Sequence, residues 1–399
     1  MNMASQFAWR TAAPRFQLFV SDLTATGVVR NAVAIANEAA ASGYEVRLLT
    51  CRPDGVLRNH IRPDVTVVKL LNGADTGSSR RFQLKQSLLE YRRHARQWRP
   101  DIMLSAGNHG HLLSTFAWAG LPGTKLLRIS NDLNHGAPSA AVRWWRDLKF
   151  RLIAGLADKL VYVSRAHAEH PLLGLHAASG KALVIPNGVD VDGVRASSRQ
   201  PCSHRWASDR SIPFVLAVGR HVRQKNFETL LRAFAIARHS QPMRLIFLGD
   251  GSMNETARLS ALTLELGIAD HVDLVPATAN PFPLMAAAGA LALPSFWEGS
   301  SNVLLEAMAC GTPVIASRTA GDAEHVLDGG RFGVLVDPHD VEGLAAALVR
   351  QTGAGAIEPG NRVMSFARDS AMARYIQLFD QLAAGARQPA PAFANPQKI

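Results

Sequence analysis

Short apolar runs of strand type alternate with Ala- and Leu-rich helical stretches along most of this 399-residue chain, and the alternation breaks once and restarts. Apolar runs at 15–20, 44–50, 65–70, 102–105, 125–129, 160–163 and 182–185 are separated by helical spacing at 28–42 and 111–119. Pro186–Gly193 and the polar stretch 197–209 interrupt the pattern. It resumes with strands at 214–219, 245–249, 272–275 and 291–294 and helices at 226–240 and 254–266. Parallel strands can be joined only through crossover helices, so such alternation leads to parallel sheets covered on both faces. The fold class expected is α/β, with two doubly wound, Rossmann-like domains. Their boundaries read as 14–190 and 211–364, with a linker at 191–210 and a helical stretch near 365–384 free to pack back on the first domain. The Pro/Ala-rich tail 388–399 reads as disordered.

Composition excludes several classes. The chain is 47% hydrophobic and 19% charged, a globular balance. Cys51, Cys202 and Cys310 are far apart, which argues against a disulfide scaffold or zinc finger and suits a reducing compartment. The first residues lack the uninterrupted apolar core of a signal peptide, and no run approaches the roughly 18 apolar residues of a membrane span. Of the +11 net charge, residues 1–195 hold 25 Lys/Arg against 14 Asp/Glu, and residues 196–399 hold 18 of each. The positive excess therefore belongs to the first half, the half expected to face something acidic.

One stretch carries most of the chemistry. Leu293–Ser317 reads as strand end, glycine loop, short helix, glycine stop and next strand. Ser300 or Ser301 caps a helix from Asn302 to Cys310, Gly311 takes the left-handed position after it, and Pro313 prevents its continuing. Glu298 and Glu306 bracket the helix start, where unpaired N–H groups favour anions. Eight helical residues span roughly 12 Å, close to a diphosphate with a sugar at each end. A plain helix-capping loop with a solvated Glu is the alternative. Arg220 and Lys225 follow the strand ending at Gly219 and suit a diphosphate, although an ordinary basic loop has the same composition. Gly249-Asp250-Gly251 is a partial glycine loop, and Asp190-x-Asp192 lies in a turn unsuited to metal ligation.

The order Ala217-Val218-Gly219-Arg220, Lys225-Asn226-Phe227, Leu248-Gly249-Asp250-Gly251, Glu298-Gly299, Asn302–Ala307 and Gly311–Val314 resembles retaining glycosyltransferases of family 4, with the GT-B fold and an E-x7-E motif. Gly321–Gly330 and Gly333–Val336 are similar to the segment closing that family's donor domain, and the N-terminal half matches in layout. The resemblance implies two domains facing a central cleft, with no metal required. It implies that Glu298 contacts the donor sugar, that Glu306 accepts hydrogen bonds from the ribose, and that Arg220 and Lys225 hold the diphosphate. Backbone N–H groups of Asn302, Val303 and Leu304 complete that grip, and Gly249 and Gly27 permit close backbone approach. The family's paired glycines in the first loop are reduced here to Gly27 within Thr24–Val28. The family's histidine near the transferring sugar corresponds to His109 or His111, with His109 favoured because it comes earlier in the loop. Asn131, Asp132 and His135 fall in another strand-end loop on the acceptor side.

In this family the N-terminal domain binds the acceptor, so the charge excess falls on the acceptor half. Arg80–Arg99 reads as one basic amphipathic helix, and Arg143–Leu152 interleaves Trp, Phe and cations as interfacial helices do. Docking on an anionic membrane is the expectation; ordinary helices with core aromatics are the alternative, and no nucleic-acid fold accompanies the charge. The resulting expectation is a transferase moving a sugar from a UDP- or GDP-sugar to a glycan or lipid-linked acceptor, on the cytoplasmic side of a membrane. A small soluble acceptor, or epimerase chemistry on the same fold, remains open.

Overall fold

The computed structural model describes residues 13–24, 26–71, 80–130, 139–165, 179–209 and 211–386. Asn131, Asp132, His135 and the tail 388–399 lie outside them. The chain forms two compact units. The first comprises residues 1–162, 170–185 and 372–399, and the second 163–169 and 186–371.

The first unit is built on a seven-stranded sheet. Its strands are β1 (Arg15–Asp22), β2 (Glu45–Arg52), β3 (Val65–Lys69), β4 (Ile102–Ser105), β5 (Thr124–Ile129), β6 (Lys159–Tyr162) and β7 (Ala182–Val184), in the order β3-β2-β1-β4-β5-β6-β7. All neighbours are parallel; Phe16 of β1 registers with Val46 on one side and Ile102 on the other. The helices are α1 (Gly27–Ala41), α2 (Arg80–Gln86), α3 (Leu88–Trp98), α4 (His111–Trp118) and α5 (Ala140–Leu156). The single basic helix read over 80–99 is divided into α2 and α3. Ser87 is buried at the junction and its hydroxyl donates to the Leu84 carbonyl at 2.9 Å, satisfying a helix-end acceptor.

The second unit repeats the design with six strands: β8 (Phe214–Val218), β9 (Arg244–Leu248), β10 (Val272–Val275), β11 (Ala290–Leu293), β12 (Val314–Ser317) and β13 (Val334–Val336), ordered β10-β9-β8-β11-β12-β13. Its helices are α6 (Val191–Ser198), α7 (Arg205–Ser208), α8 (Phe227–Ser240), α9 (Met253–Glu265), α10 (Phe282–Ala287), α11 (Asn302–Ala309), α12 (Ala323–Val326) and α13 (Val341–Thr352). Alternate residues of each strand enter opposite cores: Leu216, Ile246 and Leu291 one, Ala217, Phe247 and Ala292 the other.

One reading of the sequence is corrected here. The stretch 191–210 is not a linker. Val191, Val194 and Trp206 belong to the second unit's core, because α6 and α7 bring their few apolar residues onto one side. The last helix, α14 (Arg368–Ala386), begins in the second unit and continues into the first. There the Phe379 ring packs at a tilt with its centroid 4.6 Å from that of Phe16, and the Tyr44 hydroxyl donates to Asp380 at 2.6 Å.

Candidate functional site

In each sheet the strand order changes its direction of progression between two central parallel strands, β1 and β4 in the first and β8 and β11 in the second. Loops leaving the carboxyl ends of such a pair diverge and leave a crevice for a ligand. The second sheet gathers most of the sequence-nominated residues at this point.

The loop after β8 runs from Gly219 through Arg220 and His221 into a 3₁₀ turn, Arg223–Lys225, and then into α8. Gly219 has φ 150°, and a Cβ there would lie 2.6 Å from Lys225 Cε, so the lysine side chain crosses the backbone where only glycine gives room. Lys225 Nζ reaches Glu298 Oε1 at 2.7 Å, and the side chains are only 15% and 12% exposed. Ser295 Oγ donates to the same Oε1 at 2.8 Å, and Gln224 Nε2 donates to the Trp297 carbonyl at 2.9 Å. Phe296 N–H donates to the Gln224 carbonyl at 2.9 Å. The β8 and β11 loops are therefore zipped together by main-chain and side-chain bonds, with the Lys–Glu pair at their junction.

Asn226 secures this arrangement. It sits at φ 55°, a left-handed conformation that Asn tolerates better than most side chains. Buried there, its Nδ2 donates to the carbonyls of Pro294 (3.0 Å) and Pro338 (2.7 Å), which joins the loops after β8, β11 and β13. Neither Asn226 nor Gln224 received a role in the sequence reading. Asn immediately before a helix was a usable signal for the first; nothing local marks the second.

Arg220 is exposed and lines a groove of about 510 Å³ over the ends of β8 and β9, together with Gly219, Gly249, Asp250, Ser252 and Thr278. Gly249 is required by contact: a Cβ there would stand 2.1 Å from the Gly219 carbonyl oxygen. Asp250 Oδ1 accepts from Ala277 N–H at 3.1 Å, closing the far wall. His221 is not a third cation. It is 3% exposed, its Nδ1 lies 2.8 Å from Thr256 Oγ1, and burial pushes its pKa down.

The helix between the two glutamates forms as its sequence dictates. Ser301, not Ser300, is the cap, and its Oγ accepts from Leu304 N–H at 3.4 Å. At the other end Gly311 takes φ 79°; its N–H bonds to the Met308 carbonyl and that of Thr312 to the Ala307 carbonyl, the paired 5→2 and 6→1 closure of a Schellman turn. Asn302 Oδ1 accepts from Asn187 Nδ2 at 3.0 Å, so that side chain anchors the helix start while its amide belongs to the first turn. Val303 packs on the core, Leu304 is buried in it, and Glu306 is half-buried on the same helix. Burial beside Glu306 raises the Cys310 thiol to about 12, which leaves it unreactive. Asp190, of the Asp-x-Asp pair, caps α6 through Gly193 N–H and pairs with Arg368.

Gly27 and His109 belong to the first unit. Gly27 opens α1 after the Thr26 cap, and its carbonyl accepts from Asn31 Nδ2 at 2.8 Å. His109 is exposed in the loop after β4. His111 is fully buried as the first residue of α4; its Nδ1 lies 2.9 Å from Ser105 Oγ, and burial lowers its pKa to about 3. Of the two histidines, only His109 is accessible from its loop.

Two parallel doubly wound sheets in tandem, the second with a groove and a capped helix at its switch point, are the architecture of the GT-B class. Sucrose-phosphate synthase from Thermosynechococcus elongatus matches the chain with a TM-score of 0.75 over 93% of this chain and 100% of that one, at 22% identity. Residues 25–193 match the family model described as Glycosyltransferase Family 4, and residues 212–352 match Glycosyl transferases group 1. The chain belongs to the family 4 glycosyltransferases of the GT-B fold. D-inositol 3-phosphate glycosyltransferase of Corynebacterium jeikeium is 37% identical over 205 residues, 48% of each chain. The GDP-mannose-dependent alpha-(1-6)-phosphatidylinositol monomannoside mannosyltransferase of Mycolicibacterium smegmatis is 31% identical over 259 residues, 61% of this chain and 59% of that one. The chain thus spans about half the length of the first curated relatives it matches.

Proposed function

We propose that the protein transfers a sugar, with retention of anomeric configuration, from a nucleoside-diphosphate sugar to a glycan or lipid-linked acceptor. The observation that carries this is the Lys225–Glu298 pair at the switch point of the second sheet, beside the exposed Arg220 and the groove. Breaking the sugar–phosphate bond places charge on the leaving diphosphate and makes the sugar oxocarbenium-like. In this reading Lys225 and Arg220 bind the diphosphate, and the amides of Asn302, Val303 and Leu304 add the dipole of α11. Donor binding competes with Glu298 for Lys225 and leaves the carboxylate to receive sugar hydroxyls. Glu306 takes the ribose, Gly249 and Gly27 admit backbone close to the ligand, and His109 serves the transferring sugar. With two side-chain cations at hand, no metal is required. The relatives' names, one GDP-mannose-dependent and one an inositol phosphate glycosyltransferase, support a nucleotide-sugar donor and leave the base, UDP or GDP, to experiment. Three cysteines without a disulfide suit a cytoplasmic setting.

The test combines a thermal-shift screen against UDP- and GDP-sugars with a transfer assay in excess chelator. Glu298→Gln keeps the size of the side chain and one acceptor oxygen for Ser295 and Lys225, and removes the charge. It is expected to lower kcat by about 100-fold or more, with a lowered melting temperature, because Lys225 loses its counter-charge, but an unchanged circular dichroism spectrum. Full transfer by this variant, or transfer abolished by the chelator, contradicts the assignment.

A further inference from the structure

The two basic stretches of the first unit turn out to be built in opposite ways. In α3 the aromatics are core: Tyr91 and Trp98 are buried. Two of its cations have partners on the same unit, Arg92 donating to the carbonyls of Ala117 and Ala119 at the end of α4 and Arg93 pairing with Glu90. This stretch is an ordinary packed helix.

In α5 the aromatics face out. Phe150, Ile153 and Ala154 are buried, and about half a turn away stand Trp144 (58% exposed), Trp145 (64%), Leu152 (61%) and Leu156 (60%). Trp144, the partly exposed Leu148, Leu152 and Leu156 follow the i, i+4, i+8, i+12 spacing of one helix face, and Trp145 lies on the same side beside them. The solvent face of a surface helix is normally polar; here it is an apolar stripe more than two turns long. Exposed Lys149 and Arg151 flank it, one along each edge. The neighbouring α4, which packs against α5, adds Leu112 and Phe116 one turn apart on its own exposed side. No helix among the described residues is long and apolar enough to cross a membrane.

We propose that α5, assisted by α4, is an in-plane docking surface for an anionic lipid bilayer. Trp144, Trp145 and Leu152 enter the headgroup–acyl boundary, and Lys149 and Arg151 meet lipid phosphates. Charge complementarity selects the occupant. A second copy of a chain with net charge +11 would bring cations against cations at the rim of this stripe, whereas an anionic membrane offers apolar depth and negative charge at the same place. Trp at the interface and long cationic side chains reaching toward headgroups are the arrangement such a surface favours. The proposal adds a place of action to the transferase reading and does not depend on the donor chemistry.

The full chain is sedimented with phosphatidylglycerol-containing vesicles and with phosphatidylcholine vesicles, at low and high salt. Binding is expected to the anionic vesicles at low salt, with a blue shift of tryptophan emission. Trp144→Ser/Trp145→Ser/Leu152→Ser is expected to weaken the partition by more than about tenfold, and each of Lys149→Ala and Arg151→Ala by about fivefold. The substituted side chains are exposed, so circular dichroism and the thermal shift with nucleotide sugars stay as in the native chain; the two readings therefore fail on separate assays. Absence of binding at low salt overturns the proposal, as does equal binding by the triple variant. A self-association in ultracentrifugation that the triple variant abolishes, without lipid binding by either protein, assigns the stripe to a second copy and overturns it too.

Discussion

Asn226 shows how much a single residue can hold. Its left-handed φ of 55° and its two Nδ2 bonds to buried carbonyls fix the loop that carries Lys225. Asn226→Ala removes both donors and places a Cβ-bearing residue without local compensation in the left-handed region. The expected cost to the second unit is about 3 kcal/mol, from two lost hydrogen bonds and backbone strain together. Asn226→Gly relieves the strain and is expected to recover about 1 kcal/mol of it. Urea unfolding of the three proteins measures this, and equal stability of the Ala and Gly variants would show that the backbone term is absent. Both variants are expected to raise KM for the donor, because the β8 loop is no longer tied to those after β11 and β13.

At the level of elements, the start of α4 makes stability depend on pH. His111 lies wholly within the first unit, and burial holds its pKa near 3 against about 6.5 in an unfolded chain. Its Nε2 is buried without a hydrogen-bond partner among the described residues, so the neutral ring is the form the fold accepts. The unfolded state therefore binds more protons than the folded one between these two values. Stability from this group is complete above about pH 6.5 and falls as pH drops toward 3, by up to about 1.4 kcal/mol per pH unit. His111→Asn removes the titration. Denaturant unfolding at about pH 7.5 and about pH 5 is expected to show a smaller loss on acidification for the variant than for the native protein. An identical loss in both would assign the acid sensitivity to other groups.

For the molecule as a whole, α14 makes the first unit discontinuous in sequence. Phe379 is fully buried against Phe16 of β1, Tyr44 donates to Asp380, and Arg128 Nε donates to the Tyr375 hydroxyl at 3.1 Å. Ending the chain after Ala367 removes these contacts and opens the sheet's core at Phe16, a loss of the order of 3–5 kcal/mol from the phenylalanine alone. Limited proteolysis followed by mass spectrometry is expected to cut the truncated protein first within residues 13–185. The second unit is expected to stay intact and to keep its thermal shift with nucleotide sugars. Cleavage shared evenly between the units would show that α14 is dispensable to the first.

Alternating strands and helices, restarted once, set two parallel sheets, because a parallel strand can be reached only by a crossover. Ser301, Gly311 and Pro313 set the ends of α11, since caps are local chemistry between residues a few positions apart. The order of motifs identified the residues to watch, Arg220, Lys225, Glu298 and Glu306, without their partners. The ion pair of Lys225 with Glu298 joins positions 73 residues apart and exists only because the switch point places two loops together. Tertiary packing also turned the apparent linker into α6 and α7, since three apolar residues in a polar stretch show their meaning only when a core receives them. It separated His109 from His111 by burying the second. The same packing divided two basic, aromatic stretches that look alike as text. Tyr91 and Trp98 turn inward and Trp144 and Trp145 outward, because which face of a helix is covered depends on what packs beside it.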